Sequence, residues 1–500
     1  MPGNENGRQH SMFSPGDGEG FEILRENTQE DASEFAGKLR DWLLQSGACG
    51  TLPALHMAGL VFPVGVSISA EGEQEFSCTL TAGRIRIQTP AHVVIDSAET
   101  VYRGNLEVSG EAEYVDFSKA IFEGDSSFSL DLLQGKKWAS FTDARFREMA
   151  SFEGTRFWSA DFIRAIFWGG ASFEGVGFEQ PACFLGCALV GFSWFNKAVF
   201  DRGCDFDEAR FAGRADFSEA SFGCIADFRY ARFRKCAFFS SASFRDDVSF
   251  YGARFTRGAD FVSCSFSGEA QFERAVFSKW GGVDFDYAQF TQQLSFAGAS
   301  IKGAVSFRGS VCHLLSVGDD RPTVMPLVRE RGGLRMPMSQ TAREFWRFAQ
   351  RVFAEQGEPE RADAAYYLGR VAQWRVLRRR IKLYYLLWIC DVVLLRWPTA
   401  YGASLPRLLV TWFVTIGAFG ALFSMLPHLI GKAGSGTWTL WNWTRGIYYS
   451  VATFTTLGLG ELNPGISSWG RILTASEAFL GAILMALAVL VAGRKFMRQR

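Results

Sequence analysis

From Phe195 onward phenylalanine returns at positions 200, 206, 211, 217, 222, 228, 233, 239, 244, 250, 255, 261, 266, 272 and 277, at intervals that alternate between five and six without a miss. A looser copy runs through Phe141, Phe146, Phe152, Phe157, Phe162, Phe167, Phe173, Phe178 and Phe184, and another through Phe285, Phe290, Phe296 and Phe307. Two residues before most of these stands a small side chain, as at Ala209, Ala215, Ala220, Ala226, Ala231 and Ala253. Such a period fits neither the 3.6 of a helix nor the 2.0 of a flat strand, so the chain has to turn a corner once per unit. A square coil satisfies this: each of four sides sends one Phe and one small residue inward, and backbone amides pair between coils. Four sides of alternating length make a 22-residue coil. At ~4.8 Å per coil, about nine coils give a rod roughly 40 Å long.

Of the 48 Phe, 34 lie between positions 117 and 307, a bias that no mixed globular core would produce. Strict periodicity assigns them to the core. Aromatics interleaved with Arg to stack on single-stranded nucleic acid would need exposed rings. Lys+Arg and Asp+Glu both total 52, so the chain also lacks the cationic excess of a nucleic-acid binder, and no nucleic-acid partner is expected.

The unit resembles the pentapeptide repeat, five residues with a small side chain two before a central Leu or Phe, over about residues 116–312. The resemblance implies a right-handed quadrilateral β-helix, with the extra residue of every second interval placed at a corner as a bulge. Some members of that family resemble duplex DNA in charge. Here Arg210, Arg229, Arg232, Arg234, Arg245 and Arg254 stand among the acids and disfavour mimicry. Residues 1–50 read as a flexible N-terminus and a short helix over 21–45, and 51–115 as a β-rich cap or lead-in with alternating runs such as Arg84-Ile85-Arg86-Ile87. The lack of an apolar stretch in the first 20 residues, with ten Cys scattered singly, points to reduced thiols facing the cytoplasm. Neither the Cys nor the five His have zinc-site spacing.

Residues 313–338 carry Gly318, Pro322, Pro326, Gly332, Gly333 and Pro337 and read as a linker. Over 339–400 the pattern predicts a helical hairpin broken at Gly357 and Pro359, ending in Arg375, Arg378, Arg379, Arg380 and Lys382. An aromatic stretch at 383–395, interrupted by Asp391, is assigned to the membrane interface.

Residues 401–500 contain two apolar runs. The first, 408–426, has 19 residues without a charge; the second, 472–492, has 21 residues with the single charge Glu477. Either can cross a ~30 Å hydrocarbon layer at ~1.5 Å per residue. Arg396 and Arg407 precede the first, and Arg494, Lys495, Arg498 and Arg500 follow the second, which places both termini and the repeat rod in the cytoplasm of a multi-pass cell (inner or plasma) membrane protein in contact with lipid. Between the runs lie a short aromatic helix-compatible stretch, including Tyr448 and Tyr449, and then Thr455-Thr456-Leu457-Gly458-Leu459-Gly460-Glu461. Glycine accepts left-handed backbone angles, so successive carbonyls can be turned toward one axis. Irregular backbone at membrane depth is tolerated only beside protein or a water-filled path.

This stretch resembles the potassium-channel pore over about residues 405–495: outer helix, pore helix, filter and inner helix. Against the family's Thr-Val-Gly-Tyr-Gly and following acid, the chain has Thr456-Leu457-Gly458-Leu459-Gly460 and Glu461, with Leu459 in place of Tyr and Ala452 where some members carry a carboxylate. The resemblance implies a homotetramer conducting K+ as permeant ion, with no other cofactor. Thr456 then supplies a hydroxyl and a carbonyl, Leu457, Gly458 and Leu459 supply carbonyls, Gly460 forms the last turn, and Glu461 sits at the outer mouth. Glu477 and Gly481 match an acid and a glycine often four apart in such channels. Glu477 reads as a brace bonded to the pore helix or as a participant in conduction, and Gly481 as a gating hinge or a packing contact. Leu487, Leu490 and Val491 are candidates for an inner constriction, or for lipid contact, since one sequence does not fix helix rotation. No Gly-Lys-Ser/Thr loop, nucleophile elbow or metal cluster suggests an enzyme. Two other readings stay open: a membrane-anchored scaffold that does not conduct, and a weakly selective cation channel. The repeat domain is expected to meet a cytosolic protein or small-molecule regulator, with the break at 279–284 as a surface loop.

Overall fold

The computed structural model describes residues 54–58, 61–62, 65–72, 77–81, 84–90, 93–132, 138–318, 340–380, 405–425, 440–455 and 468–497. They fall into two compact units, a solenoid and a helical unit. The short helix read at 21–45, most of the linker and the interfacial stretch at 383–395 lie outside the described residues.

The solenoid is a β-helix of about ten turns over 67–316. Its sides are mostly two-residue parallel strands, and through the middle coils the register steps by 22 residues on all four sides: Arg210 pairs with Arg232 and Arg254, Ala215 with Ala237 and Ala259, Ser221 with Ser243 and Ser265, and Ala226 with Val248 and Ala270. Because the step is constant, equivalent side chains superpose. Phe211, Phe233, Phe255 and Phe277 stack with centroids 4.7, 4.9 and 5.0 Å apart. Phe206, Phe228 and Phe250 form a second ladder at 4.9 Å, Phe217, Phe239 and Phe261 a third at 4.9 Å, and Phe222, Phe244 and Phe266 a fourth at 4.6 and 4.9 Å. These rings are buried, and adjacent ladders meet edge to face, as Phe228 and Phe239 do. Stacking along a ladder and edge contact between ladders both suit the ring quadrupole.

Two kinds of corner account for the alternating interval. After every second Phe the chain makes a tight turn, in which Ala209 N–H donates to the Phe206 carbonyl at 3.1 Å and Glu208 takes φ +57°. Positive φ at the third residue with this closing bond is a type II turn, a place that favours glycine. Twelve non-glycine residues nonetheless adopt positive φ among the described residues. The stack holds them there: the Glu208 N–H donates to the Arg229 carbonyl of the next coil, and the Tyr230 N–H to that of Tyr251. Aspartates brace the same turns. Asp205, Asp227 and Asp260 accept from the backbone N–H two residues on, at 2.8–2.9 Å. Burial pushes the Asp161 and Asp205 carboxyls above the usual carboxylate range. The extra residue of the longer interval sits in the wider corner, where Gly213 packs backbone to backbone on Gly191.

The boundary read at residue 116 marks no change of architecture. Val61, Val101 and Ile121 pair in parallel, and Phe62, Tyr102 and Phe122 stack at 5.3 and 5.4 Å, so parallel pairing reaches back to Ala54. The sides of this stretch run to 11 residues at Leu106–Asp116, which erases the five-six rhythm from the sequence. Ser77–Thr81 pairs antiparallel with Arg84–Pro90 and borders the stack. The break at 279–284 is a widened corner that lifts Trp280 to 68% exposure, with the Lys279 ammonium 4.4 Å from its ring centroid.

The helical unit contains α1 (Gln340–Glu355), α2 (Pro359–Arg380), α3 (Leu405–Met425), α4 (Leu440–Phe454) and α5 (Ser468–Met497). α1 buries Phe345, Phe348, Ala349, Val352 and Phe353, one helical face, against α2. It ends at Gly357, φ +73°, with Glu358 N–H donating to the Phe353 carbonyl and Gly357 N–H to that of Ala354, a Schellman cap. Pro359 then opens α2, where its missing N–H costs nothing. α3 and α5 are long and apolar enough to cross a membrane. α4, at 15 residues, is ~22 Å long and too short to do so.

Candidate functional site

α4 is held between the two spans by close backbone approach at two places. A Cβ on Gly446 would lie 2.6 Å from the Gly420 carbonyl oxygen of α3 and 2.1 Å from Ser424 Oγ, so only glycine allows this crossing. A Cβ on Gly481 of α5 would lie 2.4 Å from the carbonyl oxygen of Phe454, the last residue of α4. Contact of this kind between small residues is how apolar helices associate without a hydrophobic driving force.

Polar groups tie the same three helices. Ser450 Oγ lies 3.0 Å from the Ile416 carbonyl oxygen of α3 and is hydrogen-bonded to the Glu477 carboxyl of α5. Glu477 is fully buried, and its second oxygen has no partner among the described residues. The buried Tyr449 hydroxyl is 3.0 Å from Thr474 Oγ1, and its ring meets Phe423 edge-on at 5.0 Å. Below these bonds Phe454 packs with Leu408 and Leu484, and Trp412 meets the Phe454 ring at 5.8 Å.

These contacts set direction as well as position. Tyr449, Ser450 and Phe454 meet Thr474, Glu477 and Gly481 in order, so α4 runs parallel to α5 and ends close to the middle of it. The α4 end carries the partial negative charge of a helix C-terminus.

Glu477 and Gly481 are therefore brought together around α4, Glu477 hydrogen-bonded to Ser450 and Gly481 against the Phe454 carbonyl, both within a continuous α5. Leu487 and Val491 lie on the face of α5 turned into the chain, Leu487 beside the Leu408–Phe454–Leu484 cluster, whereas Leu490 is 68% exposed. Leu487, half-buried, and Val491, buried, thus stand apart from Leu490 on the helix surface. Thr456, Leu457, Gly458, Leu459, Gly460 and Glu461 lie outside the described residues. Ser450, Thr474, Gly420 and Gly446 were not singled out in the sequence. Gly420 and Ser424, small residues four apart in an apolar run, were the signal that could have found the α3–α4 crossing.

A family model described as ion channel matches residues 410–498, and one described as pentapeptide repeats, in nine copies, matches 176–221, 217–265 and 261–311. Both families are of non-enzymatic kinds. Searches of curated proteins and of solved structures return no match. Two spanning-length helices with a short helix locked between them, matched to the first family, and a 22-residue coil matched to the second, agree on one reading. The chain is a membrane protein that joins a pentapeptide-repeat β-helix to an ion-channel domain of the two-transmembrane, potassium-channel type.

Proposed function

We propose that the protein is a homotetrameric, potassium-selective channel of the cell membrane, with both termini and the β-helix in the cytoplasm and the β-helix as a regulatory or partner-binding domain. The observation that carries the reading is the arrest of α4 near the middle of α5. Residues 456–467 then have to return the chain from membrane depth to the start of α5, and irregular backbone at that depth is tolerated only where it lines a path for water or ions. Thr456, Leu457, Gly458 and Leu459 supply the carbonyls that replace the hydration shell of K+, Gly460 turns the chain out, and Glu461 from several copies concentrates cations at the mouth. The α4 C-terminus directs its partial negative charge at the inner end of this path.

One chain supplies one such turn, so closure around an axis needs several copies, and cyclic symmetry provides them. Phe413, Phe479, Val489 and Leu490, between 68% and 74% exposed, and Tyr448 at 61%, are left for neighbouring subunits and lipid.

Flux from liposomes containing the purified full chain tests this. Potassium flux well above sodium flux is expected, lost in Gly458→Asp while the variant still assembles. Equal fluxes would favour the weakly selective channel, for which Leu459 in place of Tyr speaks. Absence of flux would leave the membrane-anchored scaffold.

A further inference from the structure

Between α1 and α2 lies a cavity of about 130 Å³ whose lining includes Arg343, Trp346, Arg347, Tyr366 and Arg370. Arg343 and Arg347 are four apart on α1 and share a face, and Arg370 comes from α2. Among the described residues no Asp or Glu lines the cavity. The Nε of Arg343 is buried without a hydrogen-bond partner among the described residues. An N–H in that state is an expensive thing to leave unmade, and an anion is the partner it fits. Arg370 Nη1 reaches Gln373 Oε1 at 3.4 Å, a long contact on one edge of its guanidinium. Gly369 contributes to the space itself, since a Cβ there would already touch the Trp346 Cβ at 3.4 Å.

We infer that this cavity binds a phosphate group, with three guanidinium groups as donors and Trp346 and Tyr366 as apolar walls for whatever carries the phosphate. Planar, forked guanidinium groups match phosphate oxygens, and the dispersed charge of one anion would relieve the mutual repulsion of three cations. The source of the phosphate is either a soluble organic phosphate or a lipid headgroup. The neighbouring residue on α2, Tyr367, has its ring 5.7 Å from the guanidinium carbon of Arg407, which lies in the first turn of α3. Occupancy at Tyr366 is thereby one residue removed from a contact with the outer span, which gives the ligand a route to the pore domain. This route rests on the channel reading; the binding itself does not.

Binding is measured on the full chain in detergent by calorimetry with inorganic pyrophosphate and with ATP, and by flotation with vesicles of phosphatidylcholine with and without phosphatidylglycerol. Saturable binding of pyrophosphate or ATP assigns a soluble phosphate. Binding confined to vesicles that contain phosphatidylglycerol assigns a headgroup. In either case Arg343→Gln with Arg347→Gln should weaken it by about tenfold for each guanidinium removed. The control Arg210→Gln with Arg232→Gln removes two charges from the β-helix and should leave affinity unchanged. Absence of binding in every arm, or equal loss in the control, overturns the proposal. Because no ion flux enters these readings, a chain that binds but does not conduct contradicts only the channel, and one that conducts but does not bind contradicts only this site.

Discussion

The two regions of this chain are held together in opposite ways. In the middle coils of the β-helix rings rest on equivalent rings above and below, each coil repeats the contacts of the last, and the core is complete within one chain. In the pore unit α4 is fixed by a few unrepeated contacts, two backbone approaches and three hydrogen bonds of the Tyr449 and Ser450 hydroxyls, and the outer faces of α3 and α5 remain apolar and exposed. Repetition makes the first region tolerant in its surface and costly to perturb in its ladders. The second is cheap to perturb in energy but sensitive in function, because the contacts that fix α4 are few and stand next to the segment proposed to carry ions.

This contrast can be broken in order of energy. Phe228→Ala in the middle of a ladder removes a buried ring that both neighbours touch, and should cost about 3–5 kcal/mol of β-helix stability by chemical unfolding. Ion flux should be unchanged where the remaining coils stay folded. A matching loss of flux at full occupancy of the folded state would show that the two regions are coupled more tightly than separate units imply. Gly481→Ala forces a methyl group against the Phe454 carbonyl and should cost less, about 1–3 kcal/mol. Its effect on flux should nonetheless be large, at least tenfold, since the α4 end has to move. Gly493→Ala, with nothing within 4 Å of its added carbon, is the control and should conduct normally. Lys197→Gly relieves positive φ at a β-helix corner and should stabilise that region by about 0.5–1 kcal/mol, the relief being partly offset by unfolded-chain entropy. A loss of stability there would mean that the lysine stem packs usefully along the corner.

How much could be read without coordinates also differs between the regions. A strict period fixes an architecture because each Phe must return to an equivalent place, so the 22-residue coil, the buried ladders and the corner position of the extra residue were all legible in the spacing. The coils before residue 116 were not. Their sides vary in length, and Phe62, Tyr102 and Phe122 are 40 and 20 residues apart, which no fixed period connects. In the pore unit the order of helices followed from hydropathy, and Gly357 with Pro359 announced the end of α1. Rotation did not follow, because a helix apolar on all sides gives no sign of which stripe faces its own chain. Leu487 and Val491 could be told from Leu490 only by packing. Ser450 looked like any polar residue in a short helix until its neighbours on α3 and α5 were in place.

The most direct measurement is a density map of the assembled protein in potassium-containing solution. It should show four copies around one axis, with peaks on that axis flanked by the carbonyls of Thr456, Leu457, Gly458 and Leu459. A closed assembly with those carbonyls turned outward, or a single chain with no central passage, would contradict the account.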